Sequence, residues 1–217
     1  MSYHPLQDTY DEMQADSRTR PHWAAFLESF QGMGRETLQR RWAEVRRLIR
    51  ENGVTFNVHG DPRGLERPWE LDPLPVLVDE SEWREVAAGL QQRARVLDLI
   101  LEDVYGPQEL IRNGLLPPEL IHAHPSFLRA CHGLPVPADC RLMLYATDMV
   151  RTPEGRFMVL RDRTQAPPGA GYALENRLVL TRLLPELFRE CHAARLGPFF
   201  SGLRQSLCNL AAHNPNN

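Results

Sequence analysis

The sequence predicts an α+β fold in which helices pack on a small, mostly antiparallel sheet. Apolar residues recur at three- and four-residue steps in several long segments, which is the period of an amphipathic helix. Residues 141–149 and 156–163 instead alternate polar and apolar side chains on either side of a Thr-Pro-Glu-Gly turn. That alternation around a turn predicts a β-hairpin.

The composition limits the chemistry available to the chain. It has 217 residues, of which 25 are basic and 28 are acidic. The net charge of −3 gives the chain no global attraction for nucleic acid or acidic membranes. All 25 basic residues are arginine, which excludes Schiff-base chemistry and a Walker-type phosphate site. Without a membrane-length apolar segment or the apolar core of a signal peptide, we expect a soluble, cytoplasmic protein.

Three elements are predicted in the N-terminal part of the chain. Residues 1–34 are predicted to be an irregular segment, and a helix follows at about 35–52, ended by Gly53. One face of this helix is rich in arginine, but acidic residues interrupt the row, which favours a solvated face over a nucleic-acid surface. These arginines are Arg40, Arg41, Arg46, Arg47 and Arg50. A short strand is expected at 54–58.

The middle of the chain combines a rigid loop with more helix. Residues 60–75 hold four prolines and two glycines, which excludes regular structure, and Trp69 indicates an ordered, functional loop. Ser81 is expected to cap a helix that runs to about residue 105 with Trp83 facing inward, and short helices follow at 107–113 and 118–122. Three histidines and four cysteines are read as packed side chains and reduced thiols, in preference to metal ligands. They are His122, His124, His132, Cys131, Cys140, Cys191 and Cys208.

The C-terminal elements follow the hairpin. A Pro/Gly loop over 165–172 leads into a helix that opens at about 173 and continues beyond Leu180, and a last helix is expected at 198–212. Residues 214–217 form a polar tail. The predicted domains are therefore the segment 1–34, a body over 35–213 and the tail.

The segment from residue 159 to residue 177 is the best candidate for chemistry. Asp162, Glu175 and Asn176 offer the hard oxygen ligands that suit Mg²⁺. The arginines beside them could neutralise phosphates through paired hydrogen bonds, and a glycine loop that leads into a helix favours an anion. The candidate phosphate-facing residues are Arg161, Arg163 and Arg177, and the candidate nucleotide-binding residues are Thr164, Gln165, Gly169 and Gly171. Each part alone is also consistent with an ordinary turn or a solvated helix start.

Longer motifs give this segment a family context. The chain resembles the circularly permuted ATP-grasp family, type 2, which is related to glutathionylspermidine-synthetase-like ligases. The resemblance extends from about residue 10 to residue 211. It is carried by residues 10–13, 20–22, 53–58, 60–62, 66–75, 105–108, 114–118, 124–125, 131–133, 162–167 and 169–177.

The resemblance implies an activity and a site. It implies ATP- and Mg²⁺-dependent joining of a carboxylate to an amine through an acyl phosphate, with a nucleotide and a small-molecule or peptide substrate as partners. By the same analogy Asp162, Glu175 and Asn176 are the Mg²⁺ ligands, Arg161 or Arg163 faces phosphates, and the loop over 60–74 shapes the acceptor side.

The chain also departs from the family pattern. Pro168 stands where the resemblance leads us to expect Ser, and Ser17 stands where Gly is usual. Family members are longer, and their following half supplies the adenine pocket and lysines. We therefore expect the chain to be the N-terminal portion of such an enzyme or a truncated relative, inactive without that half. A complementing subunit or self-association is expected.

Two other functions remain open at this point. The chain could be a non-catalytic interaction module derived from the ATP-grasp fold, an alternative that the proline at 168 favours. It could also bind nucleic acid through the arginine face of the first predicted helix, although the acidic residues on that face disfavour this.

Overall fold

The computed structural model describes residues 6–56, 67–136 and 140–211. Its helices are α1 (Pro21–Gly32), α2 (Arg35–Glu51), α3 (Glu80–Val104), α4 (Glu109–Arg112), α5 (Pro118–His122), α6 (Ala170–Leu183), α7 (Pro185–Glu190) and α8 (Gly197–Leu210). A 3₁₀ turn covers Arg129–Cys131. The strands are β1 (Gln14–Ala15), β2 (Arg18–Thr19), β3 (Ala146–Arg151) and β4 (Phe157–Arg163), and they form antiparallel pairs β1–β2 and β3–β4. This is the predicted α+β composition.

The chain divides into two compact units that interleave in sequence. The first unit comprises Met1–Asp79, Thr152–Gly155 and Pro168–Arg195. The second unit comprises Glu80–Arg151, Arg156–Pro167 and Leu196–Asn217.

The first unit has a helical core. Its buried side chains come from helices α1, α2, α6 and α7 and from Leu184, which links α6 to α7. They are Trp23, Phe26, Val45, Ile49, Val179, Leu180, Leu183, Leu184 and Leu187. The predicted helix at 35–52 is confirmed as α2, and Gly53 follows it with φ +65°, a conformation that favours glycine. Arg41, one of the arginines of this helix, donates from Nη1 to the Leu183 carbonyl at 2.9 Å. At least part of the arginine row therefore has a structural role.

The N-terminal residues are more ordered than predicted. A two-residue hairpin turn, with Asp16 at φ +48° and Ser17 at φ +60°, links β1 to β2. Helix α1 then begins at Pro21, where the fixed φ of proline suits the first helical position. The irregular interpretation of 1–34 is thus corrected over residues 14–32. The positive φ of Ser17 also gives a physical reason to expect glycine there.

The strand predicted at 54–58 does not form within the described residues. Thr55 makes a single bridge to Pro68, and Phe56 donates its backbone N–H to the Arg67 carbonyl at 2.9 Å. Asn57 and Val58 lie outside the described residues, as does the loop through residue 66. The described part of the predicted 60–75 loop has no helix or strand.

The second unit is built on the long helix α3. The helix begins at Glu80, so Ser81 lies inside it and is not the predicted cap. Trp83 is 48% exposed, so its inward orientation was also wrongly predicted. Asp98 is buried instead, and its carboxylate accepts the backbone N–H groups of Arg141 and Leu142 at 2.8 and 2.9 Å. The short helices α4 and α5 and the final helix α8 lie close to their predicted positions.

The hairpin of the second unit contains a β-bulge. Asp148 pairs with Arg161, but the next residue, Met149, pairs with Val159, so Leu160 is the extra residue. Because alternate residues of a strand face opposite sides, the bulge puts Asp162 on the same face as Val159 and Phe157. Arg161 and Arg163 lie on the other face. The hairpin itself is confirmed, although β3 begins at Ala146 and not at residue 141.

Two features are absent from the described residues. No helix within the described residues is long and apolar enough to cross a membrane. Over residues 6–56, 67–136 and 140–211, no group of three or more His, Cys, Asp or Glu side chains could hold a metal ion, and the four cysteines are free thiols.

Candidate functional site

Helix α6 in the first unit begins directly after the glycine loop. Gly169 occupies the cap position with φ +121° and ψ −22°, a backbone conformation that strongly favours glycine. No side chain caps this helix, so its first backbone N–H groups have no side-chain acceptor from the cap residue. The helix starts at Ala170, three residues earlier than predicted, and Gly171 lies in its first turn.

Glu175 and Asn176 follow one turn into α6, and each is held by a donor from elsewhere in the first unit. Asn52, at the C-terminal end of α2, donates from Nδ2 to Oε1 of Glu175 at 2.6 Å. Trp69 donates from Nε1 to Oδ1 of Asn176 at 2.8 Å. The structure thus fixes one oxygen of each predicted ligand.

An aromatic cluster surrounds the Trp69 contact. The Trp69 ring centroid lies 4.5 Å from that of Tyr172 and 5.9 Å from that of Phe56. The Tyr172 hydroxyl donates to the Thr55 carbonyl at 2.6 Å. These contacts attach the segments around residues 55 and 69 to the start of α6.

Asp162 belongs to the second unit, at the end of β4. Its carboxylate accepts two hydrogen bonds from Arg93 on α3, from Nε to Oδ1 at 3.0 Å and from Nη2 to Oδ2 at 2.6 Å. The Tyr145 hydroxyl donates to Oδ1 at 2.6 Å. The predicted ligand set therefore falls on both units, with Asp162 in the second and the Glu175–Asn176 pair in the first.

These contacts change the protonation equilibria of the second unit. The hydrogen bonds from Arg93, followed by that from Tyr145, lower the pKa of Asp162 below its usual value. Partial burial, followed by the hydrogen bond to the Asp162 carboxylate, raises the pKa of Tyr145. Asp162 is thus held as an anion and Tyr145 as a neutral hydrogen-bond donor.

The opposite face of the hairpin carries an arginine pair. Arg161 and Arg163 both donate to Asp148, with Nη2-to-Oδ2 distances of 2.7 and 2.8 Å. The hydrogen bonds from Arg163, then those from Arg161, lower the pKa of Asp148. Two of the three predicted phosphate-facing arginines therefore lie together, but on the face that does not carry Asp162.

The remaining predicted residues are divided between the units. Arg177, on α6, places its guanidinium 5.2 Å from the Phe188 ring centroid, which is cation–π geometry. Gly169 and Gly171 belong to the first unit. Thr164 and Gln165 are exposed residues of the second.

The donor chemistry of these residues fits Mg²⁺. A carboxylate oxygen and an amide oxygen at adjacent positions of α6 are hard ligands, and a carbonyl oxygen that accepts one hydrogen bond keeps a second lone pair. Glu175 and Asn176 could therefore ligate a metal in their present hydrogen-bonded state. Oδ2 of Asp162 accepts one hydrogen bond, from Arg93, so this oxygen also keeps a lone pair that a cation could use.

The sequence matches the family model described as circularly permuted ATP-grasp type 2 over residues 75–217. The chain belongs to this family. The model covers the hairpin, the glycine loop and α6, so the candidate site lies within the matched region except for Asn52 and Trp69. ATP-grasp proteins generally use ATP and Mg²⁺ and share a ligase-like fold.

Several relatives extend the match toward the N-terminus. An uncharacterised protein of Mycobacterium bovis is 37% identical, and the match covers 93% of this chain and 24% of that protein. An uncharacterised protein of Synechocystis is 33% identical over 97% of this chain and 44% of its own length. A Mycobacterium leprae protein is 34% identical, and the match covers 82% of this chain and 31% of that protein. The chain spans less than half the length of these curated relatives.

Sequence reasoning missed the partners of the predicted ligands. Arg93 lies 69 residues before Asp162, and Asn52 lies 123 residues before Glu175. Arg93 lies within an amphipathic helix and Asn52 directly follows another, so periodicity alone predicts solvated side chains for both. The indole N–H of Trp69 was the detectable signal, because a partly buried tryptophan generally finds an acceptor.

Proposed function

We propose that this chain forms part of the active site of an ATP- and Mg²⁺-dependent ligase that joins a carboxylate to an amine. The observation that supports this most strongly is the Glu175–Asn176 pair, which follows the Gly169 loop on α6 in a member of the ATP-grasp family. Adjacent oxygen ligands after an uncapped helix start suit a metal bound to a polyphosphate.

The proposed reaction has two steps. A substrate carboxylate oxygen attacks the γ-phosphorus of ATP, and ADP leaves as an acyl phosphate forms. The amine then attacks the acyl carbon, its nitrogen loses a proton, phosphate leaves, and a carbon–nitrogen bond replaces the acyl–oxygen bond. Bound Mg²⁺ would neutralise the phosphate charge during the transfer.

The residues of this chain would bind and orient the nucleotide. Glu175 and Asn176 would hold the metal, and the N–H groups at the start of α6 would face phosphate oxygens. Asp162 is a further metal ligand that the family resemblance implies. Arg161, Arg163 and Arg177 would supply paired donors to anionic groups, after Arg161 and Arg163 release Asp148. Thr164 and Gln165 would line the approach to the nucleotide.

We expect the 217-residue chain alone to bind Mg-nucleotide without turning it over. All of its 25 basic residues are arginine, and its matched relatives carry at least as much further sequence as they share with it. Phosphoryl transfer depends on many groups placed around the phosphates at once. A complementing subunit or self-association would serve the same purpose as additional sequence in the chain.

Binding is tested by thermal unfolding with Mg²⁺ and a non-hydrolysable ATP analogue. A ligand at about 100 times its Kd stabilises the folded state by about 2.7 kcal/mol, which raises the melting temperature measurably. The double variant Glu175→Gln/Asn176→Ala should lose this shift, whereas Leu178→Ala, an exposed change on the same helix, should keep it. If the wild-type chain shows no Mg-nucleotide shift, the proposal is wrong for this chain.

Turnover is tested in a longer relative. Substitution of asparagine for the residue equivalent to Asp162 should abolish ATP consumption while circular dichroism shows an intact fold. Full activity in that variant would remove Asp162 from the mechanism.

A second candidate is a non-catalytic binding module of the same fold. It is favoured by the geometry of Asp162, whose two oxygens are already held by Arg93 and Tyr145 as in a structural ion pair. If this candidate is correct, Mg-nucleotide changes neither the melting temperature nor the proteolysis pattern, while a protein partner changes both.

A further inference from the structure

We infer that Trp69 is a positioning residue, which aims the amide oxygen of Asn176 at the metal, and that Asn52 does the same for the carboxylate of Glu175. The inference rests on the proposed function, since it concerns the same metal. It adds two residues that lie before the part of the chain matched by the family model.

The Trp69 side chain is held in place by several contacts. Its backbone N–H donates to the Val54 carbonyl at 3.0 Å, and its ring lies against Tyr172 with the centroids 4.5 Å apart. Tyr172 is in turn anchored by its hydroxyl bond to the Thr55 carbonyl. The indole N–H therefore points in a direction that the surrounding contacts determine.

That direction fixes the orientation of the Asn176 amide. An indole N–H can only donate, so the group facing it must be the amide oxygen and not the NH₂ group. Without this donor the amide can rotate by half a turn and present two N–H donors, which repel a cation. A metal ligand is expected to have an oxygen that a hydrogen-bond donor holds in place and that keeps a free lone pair, since ligand oxygens commonly accept hydrogen bonds from neighbouring residues.

Asn52 acts on the neighbouring residue from a different segment. It lies immediately before Gly53 at the end of α2, and its Nδ2 contacts Oε1 of Glu175 at 2.6 Å. This bond restricts the rotation of the carboxylate and leaves Oε2 as the oxygen available for a metal. Two adjacent candidate ligands are thus oriented by donors from two separate parts of the first unit.

The experiment uses the 217-residue chain with Mn²⁺ as the probe, because Mn²⁺ accepts the same oxygen ligands as Mg²⁺ and is visible by electron paramagnetic resonance. Trp69→Phe keeps the ring against Tyr172 and removes only the N–H. We expect Mn²⁺ affinity to fall about 10- to 100-fold, the usual effect of removing a partner of a metal ligand. Asn52→Ala should also weaken binding, and Trp83→Phe, in the exposed part of α3, should leave it unchanged.

A spectroscopic readout separates positioning from general stability. Paramagnetic Mn²⁺ quenches nearby tryptophan, and Asn52→Ala keeps every tryptophan of the chain. A higher Mn²⁺ concentration should therefore be needed to quench Asn52→Ala than to quench the wild-type chain or Trp83→Phe. The positioning role is overturned if Trp69→Phe and Asn52→Ala bind Mn²⁺ as the wild type does.

The outcomes also separate this inference from the proposed function. If Glu175→Gln/Asn176→Ala loses Mn²⁺ while the Trp69 and Asn52 variants keep it, only the positioning role fails. If the wild-type chain binds no Mn²⁺, with or without the ATP analogue, the proposed function fails and this inference fails with it. If Trp69→Phe does not fold, Asn52→Ala, a change at an exposed contact, decides the question.

Discussion

Arg93 and Asp162 form a two-pronged ion pair that joins the middle of α3 to the end of β4, with Nη2 2.6 Å from Oδ2. A second such pair, between Glu82 and Arg151, joins the start of α3 to the end of β3. The two pairs lie 11 residues apart on the helix and attach it to the hairpin at two points. The Arg93 pair is the one that involves a predicted metal ligand.

Replacing Arg93 with glutamine should destabilise the protein in a pH-dependent way. Arg93 lowers the pKa of Asp162 in the folded state, so its stabilising contribution is present above the usual carboxyl pKa of about 4 and is lost as the pH falls through the lower folded-state pKa. The melting temperature of Arg93→Gln should therefore lie below that of the wild type at about pH 7 and approach it in acid. Arg84→Gln, which removes an exposed pair with Glu80, is the control and should change little. A deficit that is the same at every pH would contradict the role given to Asp162.

Removing the buried carboxylate of Asp98 should destabilise the second unit. Asp98 is 6% exposed and accepts the backbone N–H groups of Arg141 and Leu142, as well as a hydrogen bond from Arg95. Alanine leaves these donors unpaired, and each buried unpaired donor costs about 1–3 kcal/mol. Urea denaturation should show a clear loss for Asp98→Ala and a smaller one for Asp98→Asn, which keeps one acceptor oxygen. Equal losses would mean that packing, and not hydrogen bonding, determines the effect.

Leu183 and Leu178 on α6 offer a matched test of the helical core. Leu183 is 1% exposed and lies in the core of the first unit, whereas Leu178 is 51% exposed. Leu183→Ala should lower the free energy of unfolding by about 2–5 kcal/mol, because it leaves a cavity among packed side chains. Leu178→Ala should change it by about 0.5 kcal/mol or less. Similar values for the two variants would refute the assignment of the buried face.

Gly155, in the hairpin turn, should tolerate alanine less well than Gly133 does. Both glycines have positive φ, +87° and +72°, which costs an alanine about 1–2 kcal/mol. A Cβ on Gly155 would in addition collide with the ring of Tyr10, whereas one on Gly133 would meet no atom within 4 Å. Chemical denaturation should therefore show a larger loss for Gly155→Ala. If Gly133→Ala is equally harmful, the Tyr10 contact has no energetic weight.

Local sequence signals predicted the regular elements well. The spacing of apolar residues predicted both ends of α2 to within one residue, because Val45 and Ile49 recur on one face and Gly53 ends the helix. The hairpin was evident from alternation and the turn at 152–155. By contrast, α1 was missed, since this short helix depends on the burial of Trp23 and Phe26 against the rest of the core.

The candidate site was only partly predictable. The residues themselves were found from their chemistry and from long motifs, but their assignment to a single site stays a prediction. The sequence prediction grouped Asp162 with Arg161 and Arg163, whereas the strand register puts Asp162 on the opposite face of the hairpin from the two arginines. Alternation could not predict the bulge at Leu160. It also could not predict the contacts from Arg93, Asn52 and Trp69, because these depend on residues far away in the chain.

The bulge at Leu160 has a consequence for how this protein can diverge. A substitution at Leu160 alters one side chain. A one-residue deletion there would move every side chain between the bulge and one end of the strand to the opposite face of the hairpin. Asp162 would then be on the opposite side from α3, or Phe157 and Val159 would be turned toward solvent. Genetic drift should therefore substitute residues in this strand far more readily than it inserts or deletes them. An alignment of relatives that opens a gap within residues 157–163 should be treated as misaligned.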